Sequence, residues 1–247
     1  MPNEILMKFF FIILANLFCI SLVHSGVSML GTRVILSESI NEKTLMFKNS
    51  KGNPSIVQVW SDHGDDQSTI NSENTSFIIS PQVFKMQEDT VQSVRLIFLD
   101  KNKVPLDKES LYFLNFLEIP MVKKNSLTQN QLSFLFKNRI KIFYRPKGIV
   151  GNPIESIKNI SFKLEKDGSH YLIVNNPSGF YINFSEIKLG ANHKYFSLES
   201  GDGMVPPQSL VRWKVVEDIN HLEISEVEFS IVNDYGAIIN RKINLNK

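Results

Sequence analysis

The chain reads as short apolar-rich runs broken by polar clusters. Runs at 32–36, 56–60, 76–79, 91–98 and 111–119 are rich in Val, Ile, Phe and Tyr. Clusters of Asn, Asp, Gly and Pro separate such runs about every ten residues, a spacing that predicts a β-sandwich or barrel. No stretch carries a convincing amphipathic helical repeat, which argues against alternating strand–helix architectures.

The strongest break is Pro146-Lys147-Gly148-Ile149-Val150-Gly151-Asn152-Pro153. Prolines and glycines this dense do not continue a central strand and suit an exposed hinge. The expected units are therefore 26–147 and 148–247, each of a size for an immunoglobulin-like domain. In the second unit, 160–165 and 170–174 flank Asp167-Gly168, a hairpin signal. A later hairpin pairs 227–232 with 237–243 across Asn233-Asp234-Tyr235-Gly236.

Residues 1–25 stand apart from this pattern. Lys8 precedes a nearly unbroken apolar run at 9–23, and Val23 and Ser25 make a small-x-small end. That layout predicts a secretory signal peptide cleaved after Ser25, with Met1 or Met7 as the start. A transmembrane anchor is the competing reading, but the run falls short of the roughly 20 residues that cross a bilayer. The expectation is export, with no membrane insertion after cleavage. The single cysteine, Cys19, lies inside this segment. The exported chain then has no disulfide and depends on core packing. A net charge of +2 argues against a nucleic-acid binder.

Catalytic chemistry finds little support. The five histidines are scattered, and no GxSxG, Walker-type or GxGxxG motif occurs. No catalytic residue, metal or cofactor is expected. Asp62-His63-Gly64-Asp65-Asp66 has oxygens for a hard cation but lacks calcium-loop spacing, and reads as an acidic surface turn after a strand ending at Trp60. Asn74, Asn159 and Asn183 occupy Asn-x-Ser/Thr sequons, a frequent chance pattern.

The segment with most to say is Leu132-Ser133-Phe134-Leu135-Phe136, followed by Arg139-Ile140-Lys141-Ile142-Phe143-Tyr144-Arg145-Pro146. In an extended strand Leu132, Phe134 and Phe136 share one face. Alternation alone favours an ordinary core strand. The neighbouring motifs shift that balance.

With those motifs included, the sequence resembles the periplasmic chaperones of the chaperone–usher pathway, of the P-pilus type, over essentially all of 26–247. Thr32-Arg33-Val34-Ile35 looks like the family's first strand, Val59-Trp60 its buried-tryptophan strand and Val94-Arg95-Leu96 its basic-apolar strand. Asp107-Lys108-Glu109-Ser110-Leu111-Tyr112-Phe113 through Glu118-Ile119-Pro120 resembles the strand before the binding strand. Lys141 to Pro146 fits the signature K-[IL]-[FL]-[FY]-R-P, the most specific piece. Asn175-Asn176-Pro177, Pro206-Pro207 and Asn233-Asp234-Tyr235-Gly236 follow in the family's order.

The resemblance implies an all-β protein of two immunoglobulin-like sandwiches in an L-shaped arrangement around a cleft, located in the periplasm. It implies a chaperone, not an enzyme, whose partners are fimbrial subunits and an outer-membrane usher. Leu132, Phe134 and Phe136 would be the donor strand. Arg33 and Lys141 would anchor the subunit's C-terminal carboxylate, and Glu109, Arg145 and Asp234 would form an interdomain ion network. A secreted β-sandwich adhesin or pilus subunit is the alternative, although the donor extension and disulfide usual in a subunit are missing here. An exposed apolar strand invites aggregation, so self-association of the free protein through this edge, or disorder at 121–131, is expected. Two positions depart from the pattern: Pro81 stands alone where relatives often have two prolines, and Asp89 replaces a common turn glycine. The short, cysteine-free segment between Pro120 and Lys141 resembles the short-loop subclass.

Overall fold

The computed structural model describes residues 26–40, 42–50, 54–72, 76–121, 135–191 and 194–245. They form two β-sandwiches, each around its own apolar core. The expected all-β, two-domain architecture is what the chain adopts.

The first sandwich contains β1 (Val27–Met29), β2 (Arg33–Ser37), β3 (Glu42–Asn49), β4 (Ser55–Asp62), β5 (Phe77–Ser80), β6 (Val83–Met86), β7 (Val91–Phe98), β8 (Ser110–Pro120) and β9 (Phe136–Arg145). One sheet has the order β1-β3-β7-β5 and the other β2-β9-β8-β4-β6. Period-two patterning explains the division of labour. In β3, Leu45 and Phe47 face the core while Thr44 and Met46 are exposed; in β7, Val94 and Leu96 face in while Ser93 and Arg95 face out. Phe47 meets the rings of Phe116 and Phe84 from the facing sheet, with centroids 5.2 and 5.8 Å apart. The Asp89 departure has a physical form, because its φ of 54° lies in the left-handed region that Asp tolerates better than most residues.

After the break at 146–153 comes one turn of helix, α1 (Pro153–Ser156), which the apolar pattern did not predict. Asn152 caps it by accepting from the Ile154 N–H at 2.8 Å, and Pro153 stands where a missing N–H costs nothing. The second sandwich contains β10 (Ser161–Asp167), β11 (Ser169–Asn176), β12 (Ile182–Ala191), β13 (Lys194–Glu199), β14 (Met204–Val205), β15 (Ser209–Val215), β16 (Glu226–Val232) and β17 (Ile238–Asn244). Its order is β10-β11-β15-β13-β12-β16-β17, with β14 on β12. β13 pairs with β12 along Lys194–Ser197 and with β15 at Leu198 and Glu199, so it passes from one layer to the other. Both expected hairpins form. β10 meets β11 about Gly168, with Asp167 opposite Ser169, and β16 meets β17 with Val232 opposite Ile238. Gly168 and Gly236 have φ of 67° and 82°, which a β-carbon would disfavour.

Candidate functional site: a charged cleft beside an open strand edge

The site is built around β9, whose two faces have different fates. Ile142 and Tyr144 point into the first core, and Ile140 packs against it. Two residues at a time, that inner row then runs out past the end of the sandwich, through exposed Asn138 to Phe136, which is 65% exposed. The outer row is Lys137, Arg139, Lys141, Phe143 and Arg145.

The neighbours of β9 also change along its length. β8 pairs with all of it but Arg145, from Glu118 opposite Phe136 to Ser110 opposite Tyr144. β2 runs parallel to it and covers only Lys141 to Arg145, beginning with Arg33 opposite Lys141. Among the described residues, then, the edge of β9 from Phe136 to Ile140 has no strand beside it. Of the expected donor residues, Phe136 begins this open edge; Leu132 and Phe134 lie outside the described residues.

Arg33 and Lys141 share the outer face where the two strands meet, and both reach toward the second sandwich. Arg33 Nη1 donates to the Val232 carbonyl at 3.0 Å, while its Nε is buried without a partner among the described residues. Burial lowers the Arg33 pKa, partly offset by the Asp234 and Glu109 carboxylates. The guanidinium keeps its charge, only partly compensated by those carboxylates. Lys141 Nζ sits 3.4 Å from Asn183 Oδ1 and 3.5 Å from an Asp202 carboxylate oxygen, both long for hydrogen bonds. Arg33, Glu109, Arg145, Tyr181, Asn183 and Asp234 line the pocket between the sandwiches.

Glu109, Arg145 and Asp234 meet across the same junction. Arg145 Nε donates to Glu109 Oε1 at 2.7 Å, and its two terminal nitrogens grip the Asp234 carboxylate at 2.7 and 3.0 Å. The other Glu109 oxygen accepts from the Tyr181 N–H at 2.8 Å. Glu109 is 4% exposed, and burial pushes its carboxyl up against the pull of Arg145 and the Tyr181 N–H. Burial also works against the Arg145 charge, yet the Asp234 and Glu109 carboxylates hold its pKa above the ordinary value. Phe143 on Tyr181, with centroids 5.5 Å apart, adds apolar contact. Gly236 completes the fit, since a β-carbon there would come within 2.6 Å of Thr32 Oγ1.

One expectation is corrected. Asp62 does not belong to a surface turn: β4 continues two residues past Trp60, and Asp62 is 4% exposed. Its carboxylate accepts from Arg139 at 2.7 and 2.8 Å, Asn115 Nδ2 at 2.6 Å, Ser68 Oγ at 2.9 Å and the Gly64 N–H at 2.7 Å. These partners lie up to 77 residues away in sequence, so no local pattern announces them. The nearest clue was the alternation Lys137, Arg139, Lys141 on one strand face. Burial works to raise the Asp62 pKa, and the bonds from Gly64, Asn115, Arg139 and Ser68 together hold it below the ordinary 3.8. A carboxyl with a lowered folded-state pKa contributes stability above its unfolded value, and that contribution fades as pH falls through the folded one. Stability is therefore expected to drop below about pH 4 more steeply in the wild type than in Asp62→Asn. Denaturant titrations at several pH values check this, and parallel curves would refute it.

With this geometry in place, known proteins give the class. Residues 26–150 match the model described as "Pili and flagellar-assembly chaperone, PapD N-terminal domain", and residues 155–243 match "Pili assembly chaperone PapD, C-terminal domain". The chain belongs to the PapD-like pili-assembly chaperones, so its place in pilus assembly is that of a chaperone and not of an adhesin or subunit. The probable fimbrial chaperone YadV of Escherichia coli K12 is 32% identical over 212 residues, 85% of either chain. Its crystal structure superposes with a TM-score of 0.73 at 30% identity, covering 90% of this chain and all of that one. The periplasmic chaperone SfaE gives 0.67 at 27% identity, covering 89% and 98%. SafB, solved in complex with the SafA pilin of Salmonella enterica, shares the fold with a TM-score of 0.72 at 21% identity, covering 91% and 98%.

Proposed function

We propose that this chaperone binds a fimbrial subunit by lending it a strand, with β9 as the donor and the cleft cations as the anchor. The observation that carries the reading is the change of neighbours along β9: its edge lies open from Phe136 to Ile140, and the Arg33–Lys141 pair begins where that open stretch ends. An open edge offers unpaired backbone groups to another strand, and chaperone–pilin donor-strand complementation is a known case of such β-augmentation. Phe136 is the first apolar plug; Leu132 and Phe134 share its parity in sequence and complete the set. Arg33, with an idle Nε, and loosely held Lys141 suit a carboxylate, which takes charge-assisted hydrogen bonds from both. The same anchor sets the register of the added strand, because a slip of one residue turns every plug to the wrong face.

Glu109, Arg145 and Asp234 hold the angle at which the two sandwiches, 26–147 and 148–247, present this surface. The chain works in the periplasm, exported by a signal peptide cleaved near Ser25, and hands its subunit to an outer-membrane usher. Co-expression in a periplasm with a fimbrial subunit whose own sandwich lacks a strand tests the reading. A one-to-one complex is expected with the wild type, and a weaker one with Phe136→Asp, which places a charge in an apolar groove. Failure of the wild type to retain the subunit would overturn it.

A further inference from the structure

The open half of β9 has little to hold it in place. Among the described residues β8 is its sole strand partner there, and its inner row contributes no packing at Phe136 and Asn138, both exposed. An edge in that condition frays. The outer row is different. Arg139 grips the buried Asp62 carboxylate through both terminal nitrogens, donates to the Asp65 carbonyl at 3.1 Å, and lies over the Phe113 ring at 3.9 Å from its centroid. Lys137 Nζ donates to the Asp66 and Ser68 carbonyls at 2.6 and 3.0 Å and stands over the Trp60 ring. Trp60 is tied in as well, donating from Nε1 to Ser68 Oγ at 3.1 Å.

We infer that the end of β4 and the loop following it are a positioning clamp for the donor edge: Asp62 through Arg139, and the Asp66 and Ser68 carbonyls through Lys137, hold residues 136–140 in one register against β8. The inference rests on the reading of β9 as the subunit-binding strand. Two arguments favour positioning over bulk stability. A buried ion pair stabilises a fold no better than apolar packing of similar size, and its best-attested use is to fix register. A one-residue slip of β9 would carry Lys137 and Arg139 to the inner face and break every one of these contacts. An edge already ordered also loses less conformational freedom when a partner strand adds to it.

The test uses the full-length secreted chain, with amide hydrogen exchange on the free protein and capture of the co-expressed fimbrial subunit measured together. Two variants are needed, because Asp62→Asn touches a buried group and risks the fold, whereas the Lys137 side chain is exposed and Lys137→Met does not. Protected amides within 136–140 are expected to exchange about tenfold faster in both variants, with 141–145 unchanged and subunit capture slowed. Exchange that quickens equally throughout the first sandwich would assign the contacts to stability alone and overturn the clamp. So would unchanged exchange at 136–140, or local loosening with capture at the wild-type rate. A wild type that captures no subunit overturns instead the functional reading beneath it, whatever the exchange pattern.

Discussion

Arg33→Ala and Lys141→Ala are each expected to abolish recovery of a chaperone–subunit complex while both sandwiches stay folded. Neither side chain belongs to a core: Arg33 and Lys141 occupy the outer face of their strands, and the buried residues that follow them, Val34 and Ile142, are untouched. Removing Arg33 even relieves a cost, since its guanidinium is partly desolvated with Nε unpaired. In the free protein the losses are small, one Arg33 bond to the Val232 carbonyl and the long Lys141 contacts; the larger loss appears with a subunit present. An anion seated between two cations in a partly dry cleft leaves one charge poorly compensated when either is truncated, a penalty of about 2–5 kcal/mol in binding. That is enough for a complex to dissociate during purification. Arg33→Lys should recover only part of the affinity, because an ammonium does not reproduce the planar fork. Thermal unfolding alongside co-purification separates folding from binding, and variants that retain the subunit like the wild type would remove the carboxylate anchor from the mechanism.

Arg145→Ala carries the largest expected loss of stability, about 3–5 kcal/mol, because it strands Glu109 in a nearly dry site. Glu109 would keep only the Tyr181 N–H on its second oxygen and would gain reason to protonate. Asp234, more exposed, would return to water at little cost. Glu109→Gln is expected to be milder, since it buries no charge and its one amide oxygen still accepts from Arg145 or Tyr181, while its NH2 is left facing the other donor. The network spans both sandwiches, so its loss should also split one cooperative unfolding transition into two. Calorimetry reads both effects, and an Arg145→Ala melt that coincides with the wild type would refute this account of the junction.

The parts of the molecule visible in the sequence are those written in neighbouring residues. Alternation marks β7 and the second half of β9, and the turns about Gly168 and Gly236 follow from glycines beside Asp and Tyr in local pattern. Lys141 to Pro146 is a compact motif, so Lys141 and Arg145 stand out together in the sequence. Asp62 was misread for the opposite reason: the donors that make it a buried acceptor come from Asn115 and Arg139, and an isolated Asp-His-Gly-Asp-Asp looks like a turn. α1 was missed because four residues show no helical period, although Asn152-Pro153 holds its cap. From its own residues the edge of β9 is legible only as an apolar row; its exposure was expected from the family resemblance alone, since openness depends on where β2 stops.

The parallel pairing of β2 with β9 also sets an order of events. Arg33 and Lys141 are 108 positions apart (141 less 33) and become neighbours only when the first strand of the sheet docks beside the last. Contacts of such long range are made late, because the chain must close a large loop before anything rewards it. On the proposed reading of Arg33 and Lys141 as an anion seat, its two halves stay apart until β2 docks on β9. A chaperone whose job is to recognise unfinished proteins cannot, while unfinished itself, offer the seat to a client.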